Sequence, residues 1–241
     1  MTLLRSALFN LFFYLFTFVL ALYGVLVWRL APRRLLGLTQ WWARLMCQAL
    51  RLICGIRLVV IGRENIPADG AALIASQHQG AFDTFVWLAL LPRPAYVVKQ
   101  ELLRIPVFGA LLRPAGMIVV DRNAGAAAIR QLLRDTSRAV AEQRQVVIFP
   151  EGTRTAFGAD MPLFPGVAAM ASHSHLPVVP VATDSGLRWG RRSFLKVAGP
   201  IHIVVGRPLP PDLRRDALLV RLRAAWQEAA GQFRPVDNSV G

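Results

Sequence analysis

The chain divides by the period of its apolar positions. Residues 6–28, SALFNLFFYLFTFVLALYGVLVW, carry no charge, and beyond Ser6 only Asn10 and Thr17 are strongly polar. At about 1.5 Å per residue a helix of this length reaches across a bilayer core of about 30 Å. Pro32 and Gly37 then predict a break. The next stretch, TQWWARLMCQALRLICGI, has helical spacing, with Trp41, Leu45 and Leu52 on one side and Arg44 and Arg51 on another. From Arg57 onward the pattern becomes short β-branched runs. Strands are predicted at 57–62, 71–76, 95–99, 117–121, 146–149 and 177–182, with two late runs around FLKVAG and IHIVV. Helices are predicted over 83–91, 123–143, 164–174 and 212–231. Continuous apolar strands alternating with helices read as an α/β fold with a largely buried sheet.

Two readings fit the first segment. One is a retained membrane anchor, the other a cleaved secretory signal. The apolar run exceeds the usual signal core, only Arg5 precedes it, and no A-x-A site ends it, so the anchor is preferred. Two readings also fit the Trp41/Trp42 helix: an ordinary core helix, or the second arm of a membrane-dipping hairpin. Residues 1–56 are therefore expected to be membrane-anchoring helices and residues 57–241 an α/β domain.

Charge sharpens this picture. Lysine and arginine number 28 against 14 acidic residues, a net of +14, and only Lys99 and Lys196 are lysines. Such an excess calls for an anionic partner. Residues 1–63 hold eight arginines and no carboxylate, in the most apolar part of the chain. Basic and apolar together indicate anionic membrane lipids rather than nucleic acid. Arg29, Arg33 and Arg34 follow the first segment, which places the bulk of the chain on the cytoplasmic side if that segment spans. Hydrophobic residues make up 54% and charged residues 17%, which excludes a disordered chain. Cys47 and Cys54 form neither a CxxC pair nor a disulfide framework.

Several familiar chemistries are absent from the sequence. No two glycines stand two apart, neither lysine follows a glycine, and neither GxSxG nor HExxH occurs. The H-x-H at His173 and His175 has no further ligand types nearby and reads as a helix-end pair. No metal and no cofactor are expected.

Three features remain. In SQHQGAFDTF, His78 and Asp83 are five apart, and around a turn containing Gly80 their side chains can meet. Read singly, Asp83 is a helix cap and His78 a loop residue. In VVIFPEGTR, a buried strand enters a turn where Gly152 permits unusual backbone angles, Thr153 offers a hydroxyl and Arg154 offers a planar fork for an oxyanion. Lys99 and Arg122 each stand at the end of a predicted strand. In open α/β sheets ligands bind beyond those ends. His78, Lys99, Arg122, Glu151, Gly152, Thr153 and Arg154 are thus expected on one rim.

HQGAFD, KQELLRIPVFG with VVDR after it, FPEGTR, and LPVVPV resemble the four ordered blocks of the glycerolipid acyltransferase family, and most resemble its bacterial 1-acyl-glycerol-3-phosphate acyltransferase branch. The match covers about residues 57–210. The resemblance implies a glycerol-3-phosphate acyltransferase-like mixed α/β sheet flanked by helices, with an N-terminal membrane-associated helical hairpin. It implies transfer of a fatty acyl group from acyl-CoA or acyl-ACP (acyl carrier protein) to a lysophosphatidate hydroxyl, at the cytoplasmic face of an inner membrane. It gives His78 the role of base and Asp83 that of its partner. Lys99, Arg122, Glu151, Gly152, Thr153 and Arg154 would bind substrate. The chemistry agrees: an alcohol needs a base during attack, an aspartate can fix the imidazole and steady the imidazolium, and no enzyme nucleophile is required. Family members often have Ser at the position of Gly80 and Trp at that of Phe82, so the acceptor is the least determined element. Competing readings are an acyltransferase for another lysolipid such as lyso-ornithine lipid, a membrane-bound thioesterase, and a non-catalytic lipid-binding protein.

Overall fold

A computed structural model describes residues 1–233. Residues 234–241, assigned above to the α/β unit, lie outside the described residues.

Helix α1 (Thr2–Leu30) and helix α2 (Leu35–Cys54) form a hairpin through one 3₁₀ turn, Pro32–Arg34. Pro32 opens that turn, where a missing N–H is harmless. Gly37, expected to break the chain, lies inside α2. A glycine there costs about 1 kcal/mol against alanine, and the packing of α2 overrides it. Gly55 ends α2 in the left-handed conformation, at φ 69°.

The buried stripe of α2 lies away from the side that carries Trp41 and Leu52. It runs through Ala43, Met46, Leu50 and Cys54, at helical spacing, while Trp41 and Leu52 are exposed. Large and small side chains alternate on the side that meets the protein. Helix α1 behaves alike. It is apolar all round, yet Ser6, Phe9 and Gly24 are buried, while Leu4, Leu8, Leu11, Leu15, Phe18 and Leu22 stay exposed along its whole length.

The rest is β1 (Ile56–Ile61), β2 (Ala72–Ser76), α3 (Asp83–Leu90), β3 (Pro94–Lys99), α4 (Phe108–Leu112), β4 (Ile118–Val120), α5 (Ala126–Ala141), β5 (Gln145–Ile148), α6 (Gly166–Ser174), β6 (Val178–Thr183), α7 (Ser185–Trp189), β7 (Gly199–Val205) and α8 (Arg215–Ala230). The strands form one seven-stranded sheet in the order β1-β7-β6-β2-β5-β3-β4. Strands β2 to β6 run parallel, β7 is antiparallel to β6, and β1 is parallel to β7. The C-terminal ends of β2, β3, β4 and β5 therefore share one edge, which is the premise of the rim expectation.

Each face of the sheet is covered. The hairpin and α3 pack on one face around Leu50, Phe85, Trp87 and Val147. Helices α5, α6 and α8 cover the other, around Leu73, Leu132, Met170 and Leu222. Trp226 of α8 donates its indole N–H to the Ala75 carbonyl of β2 at 3.2 Å. Pro180 sits in a central strand, a place proline normally avoids. Its carbonyl accepts the Gly206 N–H at 2.8 Å, just past the end of β7, so its missing N–H falls where the β7 ladder has stopped.

One predicted strand is absent. FLKVAG has no partner strand; Phe194, Leu195 and Val197 are exposed while Lys196 is buried. Helices α4 and α7 were not anticipated; at five residues each they are too short to show a period.

Candidate active site

The turn after β2 is built by one carboxylate. Asp83 Oδ2 accepts the Gln79 N–H at 2.6 Å and the Gly80 N–H at 2.8 Å. The same oxygen lies 3.4 Å from His78 Nδ1. Asp83 is buried at the first position of α3, so the cap reading and the partner reading both describe it. It organises the turn and faces the imidazole. The His78–Asp83 separation is long for a hydrogen bond.

The imidazole of His78 stacks on Phe149, with ring centroids 4.2 Å apart and planes inclined by 20°. With Nδ1 toward Asp83, Nε2 is the nitrogen left for a substrate. The main chain of His78 is held from both sides. Its N–H donates to Glu151 Oε1 at 3.0 Å, and its carbonyl accepts the Thr155 N–H at 2.8 Å. The strand β2 turn and the strand β5 turn are thereby joined at the histidine.

Glu151 is buried below this junction. Burial pushes its carboxyl up to about 8, so it carries a proton at neutral pH. Its contact is the main chain of His78; it does not line the cavity described next. Gly152 has φ 66°, and a Cβ there would come within 3 Å of the Phe164 ring and the Arg122 guanidinium. Arg122 Nη1 donates to the Gly152 carbonyl, which ties the end of β4 to the β5 turn. Desolvation lowers the Arg122 guanidinium from its ordinary value, with Glu101 acting in the opposite sense.

A cavity of about 440 Å³ opens beside these groups, within the range of small-molecule sites. His78, Lys99, Arg122, Gly152, Thr153 and Arg154 line its polar end. Its other end is apolar and belongs largely to the hairpin: Leu20, Ala21 and Gly24 of α1, Leu35 and Leu38 of α2, with Leu111 of α4. A Cβ on Gly24 would stand 3.0 Å from Leu111, so this glycine lets α1 close the cavity wall. Trp42 donates its indole N–H to Thr17 Oγ1 at 3.1 Å across the two helices.

The structure thus gathers every residue singled out from the sequence, six around the cavity and Asp83 and Glu151 behind it. It adds residues to which the sequence assigned no role. Gln79 donates its side-chain amide to the Thr183 carbonyl at 2.6 Å and accepts the Gly186 N–H at 2.8 Å, locking the histidine turn to the end of β6. Arg191 and Arg192 reach the cavity mouth from the α7–β7 connection. Gly80 has a physical reason too: a Cβ there would lie 2.1 Å from the Trp189 carbonyl. Nothing but glycine lets α7 approach so closely. His173 instead pairs with Ser137 at 2.9 Å across α5 and α6.

Comparisons with known proteins follow the same line. The Acyltransferase family profile matches residues 57–184. The 1-acyl-sn-glycerol-3-phosphate acyltransferase of Pseudomonas aeruginosa is 32% identical over 98% of this chain and 94% of its own length. The enzyme of the same name from Bacillus subtilis is 32% identical over 80% of this chain and 95% of its own. The crystal structure of the 1-acyl-sn-glycerophosphate (LPA) acyltransferase from Thermotoga maritima superposes with a TM-score of 0.79 at 21% identity, covering 98% of this chain and 99% of that one, a likeness of fold. With the profile spanning more than half its length and a relative similar nearly end to end, the chain is an enzyme of the acyltransferase family.

Proposed function

We propose that this enzyme moves a fatty acyl group from acyl-CoA or acyl-ACP to the free hydroxyl of 1-acyl-sn-glycerol 3-phosphate, giving phosphatidate. One observation carries the reading: a single cavity has a histidine and three cationic side chains at one end and an apolar wall at the other. That division matches a substrate with a phosphate, a hydroxyl and an acyl chain. The names of the similar Pseudomonas and Bacillus proteins support the same acceptor.

In this reading the acceptor phosphate is held by Arg122 and Arg154, with Lys99 and Thr153 beside them. Arginine meets phosphate through two parallel hydrogen bonds, which fixes orientation as well as charge. The acceptor hydroxyl then lies at His78 Nε2. The imidazole takes the hydroxyl proton as the oxygen attacks the thioester carbonyl. Asp83 holds the imidazolium through Nδ1. Collapse of the tetrahedral intermediate breaks the carbon–sulfur bond, and the proton on His78 passes to the departing thiolate. Glu151 acts as a positioning residue through the His78 main chain. The exposed apolar side chains of α1 and the arginines at 29, 33 and 34 support a seat on anionic lipid at the cytoplasmic face of an inner membrane.

The test is purified protein supplied with labelled 1-acyl-glycerol 3-phosphate and either acyl-CoA or acyl-ACP. Phosphatidate formed in step with thiol release supports the proposal. Thiol released without acylated acceptor would make the protein a thioesterase and end it.

A further inference from the structure

The connection between α7 and β7, residues 190–198, has the reverse of the order expected for a loop in water. Phe194, Leu195 and Val197 are 50%, 43% and 45% exposed, whereas Lys196 between them is 2% exposed. A loop facing water puts its lysine out and its apolar side chains in. Here the lysine is used as a bolt. Its ammonium stands 4.5 Å from the Trp189 ring centroid and 5.7 Å from that of Phe9, and donates to the Phe194 carbonyl at 2.9 Å and to Asn10 Oδ1. Its backbone N–H donates to Ser6 Oγ at 2.9 Å. Asn10 Nδ2 donates to the Phe194 carbonyl at 3.3 Å. Burial lowers the Lys196 ammonium to about 8, so the contacts are made by a group that is costly to bury.

These contacts fasten the arm to α1, whose exposed side chains between Arg5 and Arg29 include Leu8, Leu11, Leu15, Phe18, Leu22 and Leu26. The exposed apolar residues of the arm therefore extend the apolar surface of α1 sideways. Arg191 and Arg192 precede them, exposed, at the mouth of the cavity. Neither takes part in an ion pair among the described residues. Arg192 is held at φ 56° in a turn closed by the Ser193 N–H on the Gly190 carbonyl, a conformation seldom adopted by a residue other than glycine. The glycine at position 80 brings the start of this arm against the histidine turn.

We propose that residues 190–198 form a second membrane contact, in which Phe194, Leu195 and Val197 enter the acyl layer of an anionic bilayer beside α1 and Arg191 and Arg192 meet lipid phosphates. The arm sets the depth of the molecule so that the mouth of the cavity lies at the level of the headgroups. A lysolipid then reaches His78 sideways, without leaving the bilayer. The proposal rests on the membrane association of α1 and is independent of which lysolipid is acylated.

The experiment is collision-accessibility spectroscopy on the full chain, with a nitroxide placed by Phe194→Cys, Leu195→Cys or Val197→Cys in a Cys47→Ala/Cys54→Ala background. The protein is bound to vesicles of phosphatidylethanolamine and phosphatidylglycerol. Leu11→Cys on α1 serves as the membrane reference and Val220→Cys on α8 as the water reference. Labels at the arm should collide with oxygen in preference to a water-soluble nickel complex, as at position 11. Arm labels that match position 220 while position 11 stays in lipid overturn the proposal. A label at position 11 that matches position 220 overturns the membrane reading of α1 itself, a separate result. In the Leu195→Cys protein, phosphatidylglycerol should deepen the label relative to pure phosphatidylcholine, and Arg191→Gln/Arg192→Gln should abolish that difference. A difference that survives removes the arginines from the contact. Phe194→Glu/Leu195→Glu should lose about tenfold or more of the activity on vesicles, from lost apolar burial, while activity in detergent micelles changes less than about twofold. Equal loss in both would assign the arm a structural role and end the proposal.

Discussion

Two histidine–aspartate pairs stand on this sheet, and they are built to opposite plans. His202 of β7 and Asp184 after β6 are both buried, with Nδ1 2.6 Å from Oδ2. The second carboxylate oxygen accepts the His202 N–H at 2.7 Å, so one residue occupies both oxygens. His78 and Asp83 are looser, at 3.4 Å, and one oxygen of Asp83 also carries two N–H groups of the turn. The tighter pair is a clasp between two antiparallel strands. The looser pair borders the cavity. Under the proposed function the shorter His–Asp distance does not mark the catalytic pair; what separates the two is that His78 lines the cavity and His202 does not.

The comparison can be broken at the carboxylates. Asp83→Asn keeps an oxygen for the Gln79 and Gly80 N–H groups but removes the charge that holds an imidazolium. Turnover should fall by about 10²–10⁴-fold with little change in melting temperature. Asp184→Asn should do the reverse, lowering stability by about 1–3 kcal/mol while turnover stays within a few-fold. Steady-state kinetics and thermal melting on both variants decide it, and equal effects at the two sites would erase the distinction.

A smaller effect is expected at the cations. Arg122→Ala and Arg154→Ala should each lower kcat/KM by about 10- to 100-fold, since hydrogen bonds to charged groups contribute about 1.5–3 kcal/mol. The rise in KM should fall on the lysolipid rather than on the thioester, and lysine at either position should restore only part of it. If only the donor KM rises, these arginines grip the donor and the assignment of the acceptor phosphate fails.

How much of this was legible follows from what the sequence encodes locally. The strand ends were legible because β2, β3, β4 and β5 are apolar runs that stop at His78, Lys99, Arg122 and Glu151 or just before them. Parallel strands must place those ends together, so the rim could be inferred without coordinates. The inward side of the hairpin was not legible. Helix α1 is apolar on nearly every side, and α2 carries large apolar side chains both on its buried side, at Met46 and Leu50, and on its exposed side, at Trp41 and Leu52, so composition did not choose between a core helix and a membrane-dipping arm. FLKVAG looked like a strand because alternation alone cannot tell a paired strand from an extended arm bolted by one lysine. Gln79 lies inside the HQGAFD block, but its positioning role was not legible, since its partners Thr183 and Gly186 are distant in the chain.

Glu151 gives the smallest and most selective test. Its folded carboxyl is raised from 4.5 to about 8, so between those values the folded protein holds a proton that the unfolded chain has lost. Stability must then fall as pH rises from about 5 to 8. Glu151→Gln imitates the protonated form and keeps an oxygen for the His78 N–H, so it should remove that slope while largely preserving the fold. Denaturant unfolding at several pH values measures it, and an unchanged slope would place the proton elsewhere.

The central claim is that His78, and not the tighter His202, is the base. The most direct measurement is single-turnover formation of phosphatidate by His78→Ala and His202→Ala, each first verified as folded by its melting curve. The account predicts a loss of at least about 10²-fold for His78→Ala, with the fold intact. It predicts turnover within a few-fold of normal for His202→Ala, with a lowered melting temperature. Near-normal acyl transfer by folded His78→Ala would contradict it.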